Sequence, residues 1–116
     1  MFATILTVSK FVRVAMWRNI PGDTTCTPVE LFDDEELTIV TRGNYILGAS
    51  VLLEGSNDGK AYFPIRDTAG DPVIRTRIGV QHAVDKARYV RASVIGKYDG
   101  AAIDVHLIMR SGKTER

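Results

Sequence analysis

Apolar residues recur at every second position along much of this chain, and that period restricts the fold more than any other feature. Ile103, Val105, Leu107 and Met109 alternate with Ala102, Asp104, His106 and Ile108. Leu37, Ile39 and Thr41 alternate with Thr38, Val40 and Arg42. Tyr45, Leu47, Ala49, Val51 and Leu53 share one parity, as do Arg88, Val90, Ala92 and Val94. Side chains of a strand point to opposite faces in turn, so each run reads as a half-buried strand. Residues 2–8 and 11–17 are rich in β-branched and aromatic side chains, which strands favour. No apolar stripe with helical spacing exceeds two turns. Residues 81–86 fit either one turn of helix or a passage between sheets.

Turn chemistry separates the runs at short intervals: Asn19-Ile-Pro-Gly-Asp23, Arg42-Gly-Asn44, Ser56-Asn-Asp-Gly59, Thr68-Ala-Gly-Asp-Pro72 and Lys97-Tyr-Asp-Gly100. Connections this short join antiparallel neighbours and leave no room for crossover helices. The pattern predicts an all-β fold, an antiparallel β-sandwich or jelly roll of about seven to nine strands. With 116 residues, one domain over residues 1–110 is expected, followed by a polar, frayed tail at 111–116.

Composition removes several classes. Cys26 is the sole cysteine, so neither an intramolecular disulfide framework nor a thiolate zinc cluster is available. No apolar run approaches the roughly 18–20 residues of a membrane-spanning helix. The N-terminus lacks the basic segment and cleavage site of a secretory signal, so synthesis in the cytoplasm without export is expected. A net charge of +1 gives no broad attraction for nucleic acid.

Catalytic chemistry is hard to read into the remaining residues. His82 and His106 have no second ligand at a metal-binding spacing, and Cys26 sits in a Thr-rich loop without a basic neighbour to lower its pKa. Asp33-Asp34-Glu35-Glu36 is the one run of like charge. It suits a solvated turn, an acidic patch facing a basic partner, or, less well, a hard cation. Arg75, Arg77, Arg88, Arg91, Arg110, Lys113 and Arg116 make the last third basic, whereas residues 23–36 are acidic. Opposite charge at the two ends suits packing between identical subunits. Trp17, Tyr45, Tyr62, Phe63, Tyr89 and Tyr98 suit a sugar platform or ordinary sheet packing. No cofactor motif is legible, and the reading is of a non-enzyme.

One segment is more specific. After Glu54 the chain reads Gly55-Ser56-Asn57-Asp58-Gly59-Lys-Ala-Tyr62. Asn and Asp close local side-chain-to-backbone bonds, and Gly59 tolerates positive φ, so residues 56–59 read as a structural turn between strands. This turn before an aromatic resembles the hairpin of discoidin-like, galactose-binding jelly rolls. The wider order of features is similar to that of small β-sandwich proteins of tailed-bacteriophage heads. That order runs through Gly22-Asp23, Pro28-Val-Glu-Leu31, Leu37-Thr-Ile-Val40, Ala49-Ser-Val51, the hairpin, Asp67-Thr-Ala-Gly70, Ala87-Arg-Tyr-Val-Arg91 and the last strand. It covers about residues 15–109. Tyr62 stands where such turns often carry Trp, and residues 2–8 fall outside the pattern, which suggests an added strand or arm reaching a neighbour.

The resemblance implies a virion structural protein, a decoration or cement protein on the capsid exterior. Its partners would be the major capsid protein and further copies of itself, with a trimer favoured, and it would bind neither nucleic acid nor membrane. Contact residues are expected in the N-terminal segment (Phe2, Ile5, Leu6), the acidic run (Asp33, Asp34, Glu35, Glu36) and the Arg75/Arg77 strand face. Two other roles fit the same pattern. One is a carbohydrate-binding or host-adhesion module of a head or tail fibre. The other is a tail or connector completion protein.

Overall fold

A computed structural model describes residues 1–32, 35–44, 49–67, 69–75, 79–83, 87–96 and 102–111. The described residues form two antiparallel sheets and contain no helix. The strands are β1 (Thr4–Ser9), β2 (Val12–Ile20), β3 (Thr24–Thr25), β4 (Val29–Glu30), β5 (Glu35–Asn44), β6 (Ser50–Ser56), β7 (Phe63–Pro64), β8 (Ile74–Arg75), β9 (Gly79–Ala83), β10 (Tyr89–Ile95) and β11 (Ala102–Ser111). The first sheet has the order β1-β2-β11-β5-β9. The second has β10 and β6 at its centre, with β3 and β4 along the outer edge of β10 and β7 and β8 along that of β6.

Taken in chain order from β2, with β3/β4 and β7/β8 each counted as one interrupted strand, the path is that of a jelly roll. The chain changes sheet after every strand except between β6 and β7, and the two Greek keys interlock as β2-β11-β5-β9 facing β3/β4-β10-β6-β7/β8. The eleven segments thus amount to nine strands, β1 being added at one edge. The fold class expected from the alternation is the one found. Of the stretch at 81–86, Gln81 to Ala83 are strand, the end of β9, and 84–86 lie outside the described residues. Likewise β6 begins at Ser50, and residues 45–48 lie outside them.

The inward parities meet in one core. Trp17, Ile39, Val51, Leu53, Val90, Ala92, Ile103, Val105, Leu107 and Met109 are fully buried. The Trp17 indole N–H donates to the Thr27 carbonyl at 3.2 Å, so its one polar atom is satisfied. Fully burying aliphatic or aromatic side chains stabilises by about 1.5–3 kcal/mol each, which makes this layer the main source of stability.

One strand departs from the sequence expectation. Asn19 and Ile20 belong to β2, not to a turn, because β2 carries a bulge. Ile103 and Val105 of β11 pair with Ile20 and Trp17, so three steps on β2 oppose two on β11. Asn19 takes φ of 52° and donates its amide to Asp104 Oδ1 at 2.8 Å. The extra residue resets the alternation, so that Trp17 and Ile20 both face the core although they are three apart.

Candidate functional site

The hairpin turn behaves as local chemistry dictates. Ser56 Oγ, fully buried, donates to Asp58 Oδ1 at 2.9 Å and accepts from the amides of Gly59 at 2.9 Å and Asp58 at 3.3 Å. The same Asp58 oxygen accepts from the amides of Lys60 and Ala61 at 2.8 and 2.9 Å. These bonds, that from Ala61 foremost, hold the Asp58 carboxyl below its ordinary range. Gly59 has φ of 79°, and a Cβ there would lie 3.5 Å from the Tyr89 ring. Asn57 is exposed at the tip. A second turn is closed by Asp67, which accepts from the amides of Ala69 and Asp71 and, through its other oxygen, from Gln81 Nε2 at 2.7 Å.

The acidic run does not stay together. Glu36 is exposed, Asp33 and Asp34 lie outside the described residues, and Glu35 is buried. Arg13 clamps the Glu35 carboxylate with two guanidinium nitrogens, Nε at 2.9 Å from Oε2, and also donates to the Glu30 carbonyl at 3.1 Å. The Phe32 amide donates to Glu35 Oε1 at 2.8 Å, and the Arg13 guanidinium lies 4.0 Å from the centre of the Phe32 ring. Consecutive residues of a strand point opposite ways, so Glu35 turns inward to Arg13 while Glu36 turns to solvent. Glu35 is therefore a structural anchor, not part of a solvent-facing patch.

The basic third is also partly matched within the chain. Arg88, just before β10, pairs with Glu30 of β4 at 3.1 Å. Arg91 pairs with Glu54 at 3.1 Å, and its guanidinium stacks 3.5 Å from the Tyr62 ring centre. Arg75 stands in β8 opposite Val51, and Arg77 lies outside the described residues.

The same stacking bears on the sugar platform. Trp17 is buried, Phe63 packs against the core, Tyr62 is covered by Arg91, and Tyr89 lies beneath the hairpin turn beside Arg88. Tyr45 and Tyr98 lie outside the described residues. Cys26 is buried, and burial pushes its thiol up to about 11, so it stays protonated at neutral pH. His82, exposed on β9, places its Nδ1 3.0 Å from Thr38 Oγ1. His106 is held below its ordinary pKa, first by burial and then by the charge of Arg42, with Asp104 opposing. Among the described residues no three His, Cys, Asp or Glu side chains cluster as metal ligands would.

What stands out is the solvent side of the first sheet. Opposed residues of paired strands share a face, so the register aligns Leu6, Val14, Ile108, Thr38 and His82 in one row. Thr4, Met16, His106, Val40 and Val80 form the next. Together they make a strip across all five strands whose polar members are only threonines and histidines. Arg110 and Glu36 face each other at one border; at the other Asp104 faces Arg42, and the Arg18 guanidinium lies 3.5 Å from the Met16 sulfur. Alternation in β5 and β11 puts Thr38, Val40, His106 and Ile108 on the face away from the core. Val14, Met16, Ile108 and Val40 mark that face as unusual, since water-facing positions rarely hold so many large apolar residues in register.

At one end of the strip stands β1, whose residues are exposed on both faces. Phe2 is 83% exposed, Ile5 49%, Leu6 54% and Val8 60%. Beneath its inner face an open groove of about 520 Å³ runs between Ile5, Phe11, Phe32 and the Arg13–Glu35 pair. Of the expected contact residues, the structure thus brings Phe2, Ile5 and Leu6 together at one edge. Comparison of the chain with family profiles, with curated proteins and with solved structures finds no match.

Proposed function

We propose that this chain is a virion structural protein that decorates the outside of an assembled bacteriophage head and bridges neighbouring subunits of the capsid protein. The observation that carries the reading is the strip over the outer face of the first sheet, which Leu6 continues onto the exposed apolar edge strand β1. A half-buried apolar sheet face (Val14, Met16, Val40, Ile108) that ends in exposed Leu6 and Val80, framed by charged pairs, supports a protein–protein interface. The order of sequence features shared with phage-head sandwiches supplies the kind of partner.

The mechanism follows from linkage. A protein that binds only the assembled lattice stabilises that state, since the free subunit lacks the composite surface. Many contacts, each on the scale of about 1,200–2,000 Å², then act together through multivalency. Mixing the purified protein with undecorated mature capsids and sedimenting the particles tests this. Saturable co-sedimentation is expected, weakened by Met16→Glu on the strip. Binding to tails or connectors alone, or to a glycan array with none to capsids, would overturn it.

A further inference from the structure

Four features make β1 an edge open to pairing. It is six residues long, Thr-Ile-Leu-Thr-Val-Ser, with neither a charge nor a proline. Among the described residues nothing pairs with its outer side, so a row of backbone donors and acceptors faces water. It is apolar on both faces, with Leu6 on the strip side and Ile5 above the groove. The edges of the second sheet, in contrast, are broken into two-residue pieces and carry Pro28, Pro64 and Pro72, the devices that stop a sheet edge from recruiting another strand.

We infer that β1 pairs antiparallel with β1 of a second copy, across a two-fold axis normal to the sheet, joining two five-stranded sheets into one of ten. An isologous contact of this kind closes on itself, whereas an open, uncharged edge on a chain of net charge +1 would otherwise invite unlimited association. The two faces of a strand must match those of its partner, so opposed residue numbers sum to an even value. Centring on Leu6 overlaps residues 4–8 of each copy, with Leu6 opposite Leu6 of the second copy, Ile5 opposite Thr7 and Thr4 opposite Val8. Charge permits it. Lys10, the nearest charged side chain along the strand, would lie eight residues from its equivalent, about 27 Å at ~3.4 Å per residue, well beyond the ~8 Å screening length. The pairing also sets the two strips side by side, making one continuous apolar face.

The inference shares the β1 edge with the capsid reading, but its test needs no particle. Analytical ultracentrifugation of the whole protein at micromolar concentration should give the mass of two chains. Leu6→Lys opposes two like charges at the axis and should weaken association on the order of tenfold or more while circular dichroism stays that of the wild type. Leu6→Cys should form a covalent dimer on mild oxidation, because opposed residues of such a pair lie ~4.5–5.5 Å apart, within disulfide reach. Cys26 is buried and does not compete. Val80→Cys on β9, the opposite edge, should form no covalent dimer under the same conditions. A wild-type mass of one or three chains, or an unchanged mass for Leu6→Lys, would overturn the inference. So would equal cross-linking at Leu6 and Val80.

Discussion

Arg13 and Glu35 show how much a single pair decides at the scale of residues. Arg13 is nearly covered and Glu35 more so, and the carboxylate also receives the Phe32 amide. Removing one partner leaves a buried charge without its counter-ion, which costs about 3–5 kcal/mol. Arg13→Met should lower stability by that order in urea titration, and Arg13→Met with Glu35→Leu should recover much of it. Asp58 and Asp67 make a pH-dependent contribution of definite sign. Their carboxyls are held below the ordinary value by backbone amides, so the folded state binds fewer protons than the unfolded chain. The stabilisation is complete above the unfolded value, about 3.9, and is lost as pH falls through the lowered folded value. The urea midpoint should therefore drop on acidification below about pH 4, and less steeply in Asp58→Asn, which keeps an acceptor but does not titrate.

Among the elements, β2 and β1 carry the consequences. The bulge at Asn19 places that residue in the left-handed region, where Asn and Gly are tolerated and β-branched residues are strained. Asn19→Val should cost about 1–3 kcal/mol by chemical denaturation, and Asn19→Gly little. Gly43, opposite Ile103, has φ of 108°, and a Cβ there would collide with the Ala102 carbonyl, so the two central strands can approach only with glycine at this place. β1 contributes no buried side chain of its own to the core cluster.

For the whole molecule, the core and its reporter can be read together. Trp17 fills the centre of the sandwich, and Trp17→Ala should cost about 3–5 kcal/mol by urea titration, from lost burial and the cavity left behind. Much of this architecture was legible beforehand. Alternation in β5, β6, β10 and β11 named the buried parity residue by residue, and Ser56, Asp58 and Gly59 announced their turn, because both depend on neighbours in the chain. Other features were not legible, because they depend on partners distant in sequence. The bulge at Asn19 exists only against β11 and Asp104, and Glu35 is an anchor only because Arg13 arrives from 22 residues away. A period of two says that a strand has two faces, but not what covers each. The amino-acid order by itself determined an all-β sandwich and its core. The tertiary structure alone decided that the far side of the first sheet is an uncharged strip and that β1 ends it as an open edge, since burial belongs to the assembled sheets and not to any one strand.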